Sequence, residues 1–139
     1  MKILIDTNVL IDFTLIRQPF FDAAQRIIKM CDSKIVDGFI AAHSIMNMFF
    51  ILRHDYNIAE RRKILKEFCN ILTVVGIDQD KIIASLENED FSDVEDCLQT
   101  ECAKSCGADY IVTRNIKDFE NSKVQAITPD EFLKKIDNQ

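Results

Sequence analysis

Residues that break a chain are scarce in this protein. It has three Gly and two Pro among 139 residues, and no Trp. So few breakers exclude a flexible linker or a low-complexity segment, and no internal repeat is present. No apolar run approaches the roughly 18 residues that span a membrane. The first residues carry one Lys and then acids, which is unlike a secretory leader. The expectation is a cytoplasmic protein with no membrane partner. Basic residues are in the minority, 17 Lys and Arg against 23 Asp and Glu, for a net charge of −6. That balance excludes a protein that coats nucleic acid through bulk charge. It leaves room for an enzyme that touches nucleic acid through a local basic patch, and it suits a site that gathers carboxylates around a cation.

What is present is ordinary for a globular protein: 47% hydrophobic and 29% charged residues. The length predicts a single domain, residues 1–139, with a real core. Five Cys are present, at positions 31, 69, 97, 102 and 106. The last three fall in one helical segment without the CxxC pairs of zinc sites, so they read as buried thiols in a reducing compartment.

Strand signals appear at Ile3–Ile5, Ile35–Ala41, Ile71–Val75, Tyr110–Val112 and Val124–Ile127, and helical patterns lie between them. Phe20, Ala23, Ala24, Ile27 and Ile28 recur at helical spacing, as do Ile45, Met48, Phe49 and Leu52. "NIAE" opens a charged helix over Ile58–Phe68 in capping-box form, and Asp78 is placed to cap another. "SDVE" predicts a helix capped by Ser92, and "TPDE" one capped by Thr128 with Pro129 in its first position. Strands alternating with helices imply crossover connections. The expected architecture is α/β: a three-layer α/β/α sandwich around a mainly parallel sheet of about five strands.

"MKILIDTNVLIDF" runs an apolar strand straight into Asp6, Thr7 and Asn8. Such a cluster is either a cap for the next helix or part of a site, since ligands of open α/β sheets gather at the carboxyl ends of strands. "YIVTRNIKDF" repeats the pattern with Thr113, Asn115 and Asp118 after a strand. "FSDVEDCLQ" adds Asp93 and Asp96, three apart on a helix whose row Val94, Leu98, Cys102 and Cys106 would pack it onto the sheet. Acids in a first helical turn also suit the macrodipole, so a purely structural reading of that cluster stays open. If the three groups meet at one sheet edge, their repulsion calls for a cation. With no His or Cys among the candidate ligands, Mg²⁺ or Mn²⁺ fits better than zinc.

These segments resemble the PIN-domain family: "ILIDTNVLID" its opening, "DVEDCLQ" and "GADYIVTRNIKDF" its third and fourth motifs, "AITPDEFL" the last strand and helix of bacterial members. The resemblance runs over essentially the whole chain. It implies a small metal-dependent ribonuclease, often the VapC-type toxin of a toxin–antitoxin pair. Carried over by motif, Asp6, Asp96 and Asp118 would be the catalytic, metal-binding acids, with Asp93 as a supporting acid. Thr7, Asn8, Thr113 and Asn115 would be the polar groups around them. Many members carry a Glu on the helix after the second strand, where this chain has Asn47. Ser44, Asn47, Phe50, Leu52 and Arg53 instead resemble a bacterial subgroup with Asn in that place. Asn47 could still offer a metal its amide oxygen, without charge.

The implied reaction is hydrolysis of single-stranded RNA, leaving a 5′-phosphate and a 3′-hydroxyl, with an antitoxin protein as partner and a homodimer as an expected assembly. Arg53 and Arg114 adjoin the site segments and are the expected RNA contacts. His43 and His54 read as ordinary surface or core residues. Two other readings remain: a catalytically degenerate PIN-fold module that binds RNA or protein, and a receiver-type phosphotransfer domain. The latter would need paired acids after the first strand and an acid after the third, where only Asp78 is offered.

Overall fold

The computed structural model describes all of residues 1–139. Its elements run β1 (Lys2–Ile5), α1 (Thr7–Thr14), α2 (Phe21–Asp32), β2 (Asp37–Ala41), α3 (Ala42–Ile51), α4 (Ile58–Ile71), β3 (Thr73–Val75), α5 (Gln79–Glu87), α6 (Val94–Ser105), β4 (Tyr110–Val112), β5 (Ala126–Ile127) and α7 (Pro129–Asp137). Short 3-10 turns follow α3 (Leu52–His54) and β4 (Ile116–Phe119). The five strands form one wholly parallel sheet in the order β3-β2-β1-β4-β5.

Alternating side chains send each strand's residues to opposite faces. Ile3 and Ile5 of β1, with Ile40 and Val112, join a core closed by α1, α2, α3, α4 and α7. Leu4, Ala41 and Ile111 turn the other way, onto Cys102 and Ala103 of α6 and onto Phe119. α5 packs on α6. The expected three-layer sandwich is therefore present, with helices divided between the two faces. The division follows from the strand order. β1, β2 and β3 are laid down in one direction, and the chain then returns to place β4 beside β1. Right-handed crossovers in opposite directions put their helices on opposite faces.

Several boundaries differ from the sequence reading. α4 runs to Ile71, so β3 begins at Thr73 rather than Ile71, while β2 begins at Asp37 and β5 at Ala126. In each case helix or turn hydrogen bonds claim backbone that apolar composition alone assigned to a strand. Asn57 and Thr128 make full capping boxes with Glu60 and Glu131, and Asp78 Oδ1 accepts from Lys81 N. The cap of α6 is a correction: Asp93, not Ser92, holds it, with Oδ1 accepting from Glu95 N at 2.8 Å. The packing row of α6 is also corrected. Val94 is exposed, and the buried face is Cys97, Gln99, Thr100, Cys102 and Ala103, so two polar residues point inward. All five Cys are free thiols, and Cys69 is exposed. Burial pushes the Cys31 thiol up to about 12 and Cys102 to about 11, which makes both inert.

Candidate active site

β1 and β4 are neighbours in the sheet although three crossovers separate them, and Ile5 pairs with Val112. Asp6 N donates to Val112 O at 2.9 Å. The next residues, Asp6 and Thr113, thus leave the sheet side by side, where the strand order reverses and a crevice must open. Thr113 Oγ1, fully buried, donates to Asp6 Oδ2 at 2.8 Å. Asp6 is also the N-cap of α1, its Oδ1 accepting from Thr7 N at 2.8 Å. Cap and cleft acid are one residue. Two longer contacts complete its surroundings, Asn8 Nδ2 to Oδ2 and Gln99 Nε2 to Oδ1, both 3.3 Å. Two short and two long donors hold the carboxylate in a fixed orientation, and only the long pair would have to yield to a cation.

The crevice is a cleft of about 390 Å³. Asp6, Asp96 and Asp118 all line it, with Thr7, Asn8, Asn47 and Asn115. Three segments far apart in sequence therefore converge. Asp118 is exposed at the rim, on the turn whose first bond runs from Asp118 N to Asn115 O. Asp93 does not line the cleft; its carboxylate is held at the start of α6. Asn47 Nδ2 donates to Glu95 Oε2 at 3.3 Å, and Glu95 lines the cleft. A fourth carboxylate thus stands beside Asn47, supplied by α6 instead of α3.

The cleft is electrostatically loaded. Burial raises the Asp96 carboxyl to about 7, and the neighbouring charges of Asp93, Asp6, Asp118 and Glu95 push the same way. Burial also raises Asp6, against the Thr113 and Thr7 hydrogen bonds, with Asp118 adding to the rise and Arg114 opposing it. No three acidic, His or Cys side chains already close into a ligand cage; the acids ring an open cleft. The donor chemistry nonetheless suits a hard cation, because Mg²⁺ keeps several waters and needs only one or two carboxylates. One buried group in the cleft wall points the same way: the amide oxygen Gln99 Oε1 has no hydrogen-bond partner.

Sequence reasoning gave no site role to Gln99, Ser44 or His43. Gln99 Nε2 donates to Ser44 Oγ at 2.8 Å, tying α6 to α3 beneath Asp6. A Gln on an apparently ordinary helix gives no signal until its face is known to be buried. His43 is half-buried and lines the cleft; burial pushes its pKa down, opposed by Glu95 and Asp93. The two expected RNA contacts lie elsewhere. Arg114 grips the buried Asp12, Nε to Oδ2 at 2.6 Å and Nη2 to Oδ1 at 3.3 Å, and lies over the Phe20 ring. Arg53 lies over the Phe50 ring, 3.7 Å from its centroid, and donates to Phe50 O. Neither lines the cleft.

The receiver alternative fails on geometry. Its strand order would be 2-1-3-4-5, whereas this sheet runs 3-2-1-4-5, and Asp78 is spent on capping α5.

No curated protein sequence matches the chain significantly. Solved structures do match in fold. The DNA-bound VapBC from Salmonella typhimurium is 20% identical over 93% of this chain and 98% of its own, with a TM-score of 0.68. VapBC2 from Rickettsia felis, bound to a promoter DNA fragment, is 14% identical over 92% and 98%, with a TM-score of 0.65. PAE2754 from Pyrobaculum aerophilum is 15% identical over 100% and 91%, also at 0.65. The PIN-domain sequence profile matches residues 2–117, which is most of the chain and includes every cleft-lining residue but Asp118. The chain belongs to the PIN-domain family.

Proposed function

We propose that this protein is a Mg²⁺- or Mn²⁺-dependent endoribonuclease that hydrolyses single-stranded RNA. The observation that carries the reading is the convergence of Asp6, Asp96 and Asp118 in one cleft at the reversal of strand order. Asp6, Asp96 and Asp118 would hold the ion, with Asn47 within reach of the same cleft. When bound, such an ion acidifies water and shields the charge that develops on the leaving oxygen.

The chain's own residues do the positioning. Thr113 Oγ1 and Thr7 N donate to Asp6, favouring its anionic form against the effect of burial, and aim it into the cleft. Asn8 braces both sides of the crevice: its Nδ2 reaches Asp6 and Thr113, and its Oδ1 accepts from Arg114 N at 3.4 Å. Gln99 links Asp6 to Ser44 and so fixes α3 against α6. Asp96, with its proton affinity raised to about 7, would give up that proton on holding a cation near neutral pH. His43, held neutral by burial, adds no charge to the cleft.

The VapBC assemblies among its structural relatives support a toxin role with an antitoxin protein as partner. A homodimer and a cytoplasmic location belong to the same reading, and no helix of the chain is long and apolar enough to cross a membrane. The second reading is a catalytically silent PIN-fold module that binds RNA or protein. It is favoured by the uncharged Asn47, and the Glu95 carboxylate beside that residue answers it.

Incubating purified protein with mixed single-stranded RNA and Mn²⁺ or Mg²⁺ tests the proposal. Cleavage that leaves 5′-phosphates, is abolished by EDTA and is lost in Asp96→Asn is the expected result. Wild-type binding without cleavage in either metal would leave the binding module.

A further inference from the structure

A cleft lined by Asp6, Glu95, Asp96 and Asp118 repels a polyanion, and a cation at the acids can serve only the phosphate being cut. Some other positive group has to hold the rest of the strand. Arg114 and Arg53 do not line the cleft, and Arg114 is committed to Asp12. Arg17 is the only Lys or Arg in the cleft wall. Its side chain is 47% exposed, and its nearest acid, Asp12 Oδ1, is 4.0 Å away. Both oxygens of Asp12 already accept from Arg114, so the buried carboxylate is satisfied without Arg17. The guanidinium is therefore free to bind an incoming anion.

The local backbone places it there. After α1 the chain turns through Ile16 at φ 52, a left-handed conformation that a β-branched residue adopts only at a cost. Ile16 is 64% exposed, so no burial of its side chain offsets that cost. Arg17 N then closes back on Asp12 O at 2.9 Å. α1 runs along the cleft, presenting Thr7, Asn8 and Ile11 to it. Asp6 caps one end of this helix and Arg17 follows the other, and the eight residues of α1 between them rise about 12 Å at 1.5 Å per residue. That offset is roughly one or two nucleotides.

We infer that Arg17 binds the backbone phosphate one or two nucleotides from the cut, and so makes the enzyme favour strands long enough to reach it. The inference rests on the ribonuclease reading above. It predicts a loss in substrate binding with the chemical step intact.

The test compares wild type with Arg17→Ala, Arg17→Lys and, as a charge-matched control, Arg62→Ala on the exposed face of α4. Cleavage is followed in Mn²⁺ on single-stranded oligoribonucleotides from a dinucleotide upward, extended to either side of the cut, over a range of salt concentrations. Arg17→Ala should raise KM roughly tenfold on long strands with kcat changed less than about twofold. It should make the salt dependence of binding less steep by about 0.7 in log–log slope, the value for one phosphate on a single strand. On the dinucleotide it should match wild type. Arg17→Lys should recover most of the loss, and Arg62→Ala should behave as wild type. Thermal melts should coincide for all four proteins, because Arg114 keeps Asp12 paired. If wild type cleaves and Arg17→Ala equals it at every length and salt, the inference is overturned and the nuclease reading stands. An equal loss on the dinucleotide also overturns it, since the residue would then act at the cut or through the fold. If wild type neither binds nor cleaves any oligomer, both readings fall.

Discussion

Asp96 sits half-buried on the first turn of α6, with Asp6, Asp93, Glu95 and Asp118 around it. Its ordinary carboxyl value of 3.8 is raised to about 7. Between those two values the native protein holds a proton that the unfolded chain has lost. Stability of the metal-free protein should therefore fall as pH rises from about 4 to about 7, with the full penalty present above that. Asp6, also raised, adds in the same direction. Urea denaturation in EDTA at several pH values measures the effect. Asp96→Asn should flatten the slope, leave stability at pH 8 equal or higher, and abolish cleavage. A steep wild-type slope that persists unchanged in Asp96→Asn would remove Asp96 from the loaded cluster.

At the scale of the element, two helix junctions decide what the acids and cations nearby can do. The start of α6 is capped by Asp93 through Glu95 N. Asp93→Ala should cost about 0.5–2 kcal/mol, while Ser92→Ala should fall within about 0.5 kcal/mol of wild type. Chemical denaturation of the two variants separates them, and a larger loss in Ser92→Ala would restore the cap that "SDVE" suggests. The second junction ties α1 to the loop after β4. Asp12 is 1% exposed and its carboxylate is gripped by Arg114. Arg114→Met keeps the stem but strands a buried charge, at a cost on the order of 3 kcal/mol. The double variant Asp12→Asn, Arg114→Met should recover part of that loss. If Arg114→Met is as stable as wild type and only RNA binding falls, Arg114 is a nucleic-acid contact after all. Acids that look alike in sequence thus differ in what they do: Asp93 and Asp12 hold the fold, whereas Asp96 and Asp118 line the cleft.

For the whole molecule, the cleft couples folding to metal. Carboxylates from three remote segments repel one another in the apo protein, so a cation bound only by the native state stabilises it by RT ln(1 + [L]/Kd), about 2.7 kcal/mol at one hundred times Kd. In a domain of this size that raises Tm on the order of 10 °C. Mn²⁺ or Mg²⁺ should produce the shift and NaCl of equal ionic strength should not, since screening is not site binding. Asp118→Asn should shrink the metal shift and raise the Tm measured in EDTA. Identical wild-type melts in NaCl and in millimolar Mn²⁺ would count against the metal centre and against the ribonuclease with it.

The sequence by itself determined the alternation of strands and helices, the caps at Asn57, Asp78 and Thr128, and hence the parallel α/β class. Those signals are local: side-chain periodicity, turn chemistry and the reach of a capping oxygen act within a few residues. It also marked Asp6 and Asp118, as polar clusters that end apolar strands, and Asp96, as an acid at a helix start; such patterns are visible without a fold. Only the tertiary structure decided which strand neighbours β1. That pairing brings Thr113 onto Asp6 and turns two strand ends into one crevice. It also decided the rotation of α6, which buries Gln99 against Asp6 and Ser44 and leaves Val94 in solvent. It divided the arginines as well, giving Arg114 to a buried Asp12 and Arg17 to the cleft. Each of these depends on groups tens to a hundred residues apart competing for the same few ångströms, and such a competition is resolved by packing and pairing, not by any pattern within one segment.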